Sequence, residues 1–203
     1  MMLFGKISWK FCSLKKLPWS YDSRPFWGWL NAVFNKYIMV DYECIRDVVP
    51  DRVASEWLLC CGAMVQSHGQ DRWQKDYNHL PKSPLGKYKI QTIDATDSCI
   101  MNIGCDHLEG LQHLEKIQLS KCHYIEDSCL EKLGQFENLQ KSILEMEITF
   151  CGNVTYKGIV ALQHLRNLKQ LLLHDLPGVK EKEKIVQVFE TSLPSLNLKL
   201  DLK

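Results

Sequence analysis

The sequence predicts an α/β fold in which short strand–turn–helix coils stack into a solenoid behind an N-terminal helical cap. Three observations predict it. An apolar spacing of three, three and two recurs along the C-terminal part of the chain. Apolar residues recur at helical spacing between residues 26 and 86. The composition, 45% apolar and 24% charged, is that of an ordinary globular protein.

The repeats carry most of the weight. Leu111, Leu114, Ile117 and Leu119 are spaced by three, three and two, and Leu165, Leu168, Leu171 and Leu173 reproduce this 54 residues later. The register continues, with Cys122 matching Leu176 and Ile125 matching Val179. Between these copies, Met146, Ile148, Cys151, Val154, Ile159 and Leu162 follow Ile117, Leu119, Cys122, Ile125, Leu130 and Leu133 at a constant offset of 29. Phe136 and Leu139 form the front of that copy, set apart from Met146 by four extra residues. A weaker first copy places Ile93 and Thr96 at the Leu119 and Cys122 positions, and Leu193, Leu196, Leu198 and Leu200 close the chain as a truncated copy.

Strand alternation explains the spacing. Ile117 and Leu119 point inward, a small Cys side chain fits at the turn, and a helix brings Leu130 and Leu133 down as a seal. No single coil buries its own face, so several must stack. The pattern is that of a short leucine-rich-repeat solenoid over residues 87–203, with about four repeats plus a truncated one. A plain helical bundle does not explain the three-three-two spacing. The outward strand residues form a polar face, the usual concave binding surface of a solenoid. They are Thr92 and Asp94, then Lys116, Gln118 and Ser120, then Glu145, Glu147 and Thr149, then Gln170, Leu172 and His174. Among them Lys116, Gln118, Ser120, Glu145, Glu147, Thr149, Gln170 and His174 are the candidate partner-binding residues.

Residues 26–86 read as the helical cap. Phe26, Trp29, Leu30, Val33 and Phe34 share one helical face. Pro50-Asp51 opens a second helix whose apolar residues Val53, Trp57, Leu58, Cys61 and Val65 recur at three and four. Beyond Gly69 come Trp73, Tyr77, His79 and Leu80, and Pro81 and Pro84 end the segment. Such aromatic density suits a cap over the open end of an array, or a docking surface.

Residues 1–25 precede it. Lys6, Lys10, Lys15 and Lys16 lie opposite Phe4, Ile7, Trp9, Phe11 and Leu14 on a helical wheel, and the first acidic residue is Asp22. Basic, Ser-containing and acid-poor is the pattern of a mitochondrial transit peptide.

Several classes are argued against. A net charge of +1 carries no global basic excess for nucleic acid. No apolar run reaches the roughly 18 residues of a membrane span. The nine cysteines include the adjacent Cys60 and Cys61 and form no Cys-x-x-Cys pair. They read as mostly reduced thiols of an intracellular protein. Asn153-Val154-Thr155 matches a glycosylation acceptor and is read as chance within the repeat. No catalytic constellation has usable spacing. Leu85-Gly86-Lys87 lacks the upstream glycine of a phosphate loop, and His107, His113 and Cys105 lack zinc-ligand pairing. Cys122-His123 looks like a nucleophile and base, but neighbours on a strand point apart and the register turns the Cys122 thiol inward. The expectation is a binding module, with no enzymatic activity and no small-molecule substrate.

Four stretches carry a resemblance over nearly the whole chain. They are Phe26-Trp27-Gly28-Trp29-Leu30-Asn31-Ala32-Val33-Phe34-Asn35-Lys36, Arg72-Trp73-Gln74-Lys75-Asp76-Tyr77-Asn78-His79-Leu80-Pro81, Ile93-Asp94-Ala95-Thr96-Asp97-Ser98 and Leu176-Pro177-Gly178-Val179. They resemble the family of mitochondrial ATP synthase subunit s, also called coupling factor B. A related branch includes a distal-membrane-arm assembly factor of respiratory complex I. The resemblance implies a peripheral protein on the matrix side of the mitochondrial inner membrane. It implies a regulatory or coupling role at the ATP synthase that blocks a proton leak. It also implies a magnesium ion held by backbone carbonyls, which by motif fall on Gly62 in Cys61-Gly62-Ala63-Met64 and Thr96 in Ala95-Thr96-Asp97.

This sequence departs from the family at two places. Ser120-Lys121-Cys122 stands where relatives carry Cys-Lys-Cys, so of that dithiol only Cys122 remains. Tyr37-Ile38-Met39 is an insertion between the two cap helices, where extra length is cheap. Two other expectations stand beside the coupling role. One is complex I membrane-arm assembly. The other is a substrate-recognition adaptor, since Cys-containing repeats also follow F-box segments.

Overall fold

The computed structural model describes residues 50–80 and 88–202. The leader, the first cap helix, the Tyr37–Met39 insertion, Pro81 and Pro84 lie outside them.

The first described helix, α1 (Pro50–Cys60), starts as the sequence predicts, with Pro50 and Asp51 in its first turn. Asp51 is buried, and its carboxylate accepts from the Ile90 backbone N–H and the Lys89 ammonium, both at 2.9 Å. This joins the helix start to strand β3 (Ile90–Asp94). The helix ends in a Schellman turn. Gly62 adopts φ +89°, its N–H donates to the Leu59 carbonyl, and the Ala63 N–H donates to the Leu58 carbonyl. Val65, which periodicity places on this helix, therefore lies beyond it and is buried in strand β1 (Met64–Ser67). The helical spacing ran on by coincidence across the reversal at Gly62.

Two strands of the predicted cap join the sheet. Strand β1 pairs antiparallel with β2 (Trp73–Gln74) on one side and with β3 on the other. Parallel pairing follows from β3 through β4 (Lys116–Ser120), β5 (Glu145–Thr149), β6 (Gln170–His174) and β7 (Asn197–Asp201). The result is one open seven-stranded sheet in the order β2-β1-β3-β4-β5-β6-β7.

The predicted inward rows are in register from β4 to β7. Ile117, Met146, Leu171 and Leu198 align, as do Leu119, Ile148, Leu173 and Leu200. The first copy corrects the reading by two residues. Ile93 pairs with Ile117, not with the Leu119 position, so buried Ala95 falls at the Leu119 position and buried Ser98 at the Cys122 position. The Ser98 hydroxyl lies 3.6 Å from the Cys122 sulfur. The front of the third copy is also corrected. Ile143, fully buried, sits three residues before Met146, as Leu114 does before Ile117. The extra length is taken up by helix α3 (Glu137–Ser142).

Helices and 3-10 turns cover the inner face. They are the turn Asn102–Leu108, helix α2 (Asp127–Gln135), α3, helix α4 (Tyr156–Ala161) with the turn Leu162–His164, and helix α5 (Lys182–Ser192). Leu130, Leu133, Ile159 and Leu162 are buried against the strands as expected, and Ile185 and Phe189, which the sequence reading did not single out, join them in one continuous core. Each such side chain contributes about 1.5–3 kcal/mol by leaving water. Glycines set the spacing between units. A Cβ on Gly158 would overlap Asp127, and one on Gly104 would overlap the Trp57 indole. Cys105 and Cys129 are joined across neighbouring units, with Cα atoms 6.2 Å apart. Their separation of 24 residues carries no pairing signal in the sequence. Among the described residues no helix is long and apolar enough to cross a membrane.

Candidate interaction surface

The outer face of the sheet brings the predicted partner-binding residues into three rows. Lys116, Glu145 and Gln170 align with Asn197; Gln118, Glu147 and Leu172 align with Lys199; Ser120, Thr149 and His174 align with Asp201. The Lys116 ammonium stands 3.0 Å from the Glu145 carboxylate, both about 40% exposed (41% and 40%). An exposed pair of this kind adds at most about 1 kcal/mol. Ser120 and Thr149 are buried, and the Thr149 hydroxyl donates to the Ser120 oxygen at 2.8 Å. They brace two strands and leave little for a partner. His174 Nδ1 lies 2.9 Å from the Asp201 carboxylate. A groove of about 100 Å³ runs over the sheet, lined in part by Lys116, Glu147, Leu172 and Lys199. Metabolite pockets are typically about 300–1,000 Å³.

Along the carboxyl ends of the strands runs a ledge that sequence reasoning missed. Asp97, Lys121, Phe150 and Asp175 each adopt φ near +50° (54°, 54°, 55° and 47°). Each donates its backbone N–H to the next strand's last residue or its equivalent: Asp97 to Ser120, Lys121 to Thr149, Phe150 to His174 and Asp175 to Asp201. The left-handed kink is what turns the chain from the outer face towards the helices. Asp tolerates it, whereas a bulky side chain is an outlier there. Phe150 is nonetheless 42% exposed, with the edge of its ring against His174 at a centroid distance of 5.0 Å. The signal was available: the offset of 29 aligns Phe150 with Lys121, an apolar ring where the neighbouring coil has a charge.

Gly62 and Thr96 lie near each other beside the Asp97 end of this ledge. Strands β1 and β3 pair Met64 with Asp94, and carrying that register two residues further sets Gly62 opposite Thr96. The Cys99 N–H donates to the Cys61 carbonyl at 2.9 Å and ties the two loops. Both residues are exposed, and neither carbonyl accepts a loop hydrogen bond among the described residues. Asp94 accepts from the Thr96 N–H and hydroxyl through one oxygen. Unspent carbonyl oxygens beside a carboxylate are hard donors of the kind magnesium takes, alongside retained waters. Among the described residues no three His, Cys, Asp or Glu side chains converge. An ion here would rest on carbonyls and water.

Cys122 is a core residue. It is fully buried, and its thiol donates to the Ala95 carbonyl at 2.9 Å. The hydrogen bond it shares with Cys151, with burial added, pushes its pKa far up and keeps it a thiol. A nucleophilic pairing with His123 has no support in this geometry.

No family model matches the chain. Curated relatives match throughout. The chain is 77% identical over 203 residues to "ATP synthase subunit s, mitochondrial" of Bos taurus, covering all of both chains. It is 74% identical to the protein of that name from Homo sapiens, again over the full length of both. A more distant relative, "Distal membrane arm assembly component 2" of Drosophila melanogaster, is 23% identical over 168 residues, which span 76% of this chain and 57% of that protein.

Proposed function

Since the chain belongs to the family of mitochondrial ATP synthase subunit s, we propose that it is an accessory subunit of the mitochondrial ATP synthase that regulates or couples by protein binding. The full-length identity of 77% carries this reading. The polar outer face of the sheet suits such binding.

In this reading the in-register coils of residues 87–203 are a leucine-rich-repeat solenoid, residues 26–86 its cap, and residues 1–25 a mitochondrial transit peptide. The protein sits on the matrix side of the inner membrane, as a peripheral component, and supports ATP synthesis by closing a proton leak. The Gly62 and Thr96 carbonyls would hold magnesium, whose charge would pin the loop after α1 to the loop after β3. Chelation is then expected to lower the melting temperature, because an ion bound only to the folded state stabilises it. An unchanged melting temperature at matched ionic strength would remove the ion from the account.

Affinity purification of the full-length chain from mitochondria tests the function. ATP synthase subunits are expected in the eluate. Recovery of complex I assembly intermediates alone would favour the second reading, an assembly role, which the Drosophila relative supports at 23% identity.

A further inference from the structure

We propose that the outer sheet face takes a basic protein segment whose apolar anchor packs against Phe150. This deepens the docking reading and rests on it.

Charge points to the occupant. The outward strand residues and the ledge hold six carboxylates: Asp94, Asp97, Glu145, Glu147, Asp175 and Asp201. They hold three lysines, Lys116, Lys121 and Lys199, so this face has three excess negative charges on a chain whose formal net charge is +1. Lys116 is already spent on Glu145. Glu147 lines the middle of the groove and makes no ion pair among the described residues. A face of this sign repels nucleic acid and anionic lipid and attracts Lys- or Arg-bearing protein.

Phe150 points to the anchor. The turn needs a left-handed residue at this position, and Asp97, Lys121 and Asp175 meet the same need with polar side chains. Nothing in the turn calls for an aromatic ring. The ring stands out from the face, half exposed, between a cationic and an acidic neighbour on the ledge. Exposed aromatics ringed by polar groups are the usual anchors of protein interfaces.

The test places p-benzoylphenylalanine at Phe150 in the full-length chain within mitochondria, followed by irradiation and sequencing of the cross-linked peptide. The expected product is a segment of net positive charge in an ATP synthase subunit. Glu147→Lys combined with Asp175→Lys is expected to lower its yield on the order of tenfold, with the melting temperature unchanged. A cross-link to an acidic or neutral segment, a cross-link to lipid, or a yield indifferent to charge reversal would overturn the proposal. A cross-link to a basic segment of another complex would keep it while removing the ATP synthase reading. No cross-link in any complex that retains the protein would overturn it.

Discussion

Phe150 sets two local energies against each other. Its left-handed backbone costs about 1–2 kcal/mol, and its edge contact with His174 returns about 0.5–1.5 kcal/mol. Phe150→Gly relieves the first and removes the second, so stability is expected to change by less than about 1 kcal/mol. Thermal unfolding of the purified variant checks this, and a loss beyond about 2 kcal/mol would mean that the ring holds the fold together. Asp51 is the opposite case. It is buried and accepts from Lys89 and the Ile90 N–H, so Asp51→Ala leaves that N–H without its acceptor. A loss of about 2–3 kcal/mol is expected by denaturant titration. Cys122 makes a pH statement. Its raised pKa means that, at a given pH, less thiolate is present than for an ordinary thiol. Its thiol is also fully buried, so alkylation of native Cys122 should lag behind that of the exposed Cys60, and mapping the modified peptides reads this directly. The burial of Cys122 was legible from the repeat register alone. The exposure of Phe150 was legible only through its alignment with Lys121 at the offset of 29, because alternation says nothing about a residue at the kink.

Elements were legible where period and register agreed. Strands β4, β5 and β6 were readable because each carries two inward apolar residues at matching offsets. The first copy slipped by two because Ala95 is too small to look like a core position, so Ile93 was aligned in its place although Ile90, three residues before it, matches Leu114 before Ile117. The end of α1 was overrun because Val65 extends the helical spacing past Gly62, whose positive φ ends the helix. Gly62 is the signal that should have stopped it. The close contacts between elements yield two further expectations. Gly104→Ala drives a methyl into the Trp57 indole between α1 and the Asn102–Leu108 turn, and overpacking of this kind costs about 1–3 kcal/mol. Ile143→Ala opens a cavity beneath α3, for which about 2–5 kcal/mol is expected. Urea midpoints of both variants test whether these positions are as tight as the geometry says. No change at Ile143 would refute the corrected alignment of the third copy.

At the scale of the molecule, the parallel strands and the polar sheet face were legible because repetition constrains many residues at once. Two features were not. The strands β1 and β2 extend the sheet into the segment read as a helical cap, since the two-residue β2 carries no period and Val65 of β1 also fits the helical spacing. The pairing of Cys105 with Cys129 depends on how neighbouring units stack. The family came from outside periodicity altogether, through relatives that match the chain end to end. The account therefore stands on whether this chain is held by the ATP synthase. Native gel electrophoresis of gently solubilised inner mitochondrial membranes, probed for the full-length chain, measures this directly. The account predicts co-migration with the assembled ATP synthase, lost when Glu147→Lys is combined with Asp175→Lys. Migration with complex I assembly intermediates, and none with ATP synthase, would contradict it.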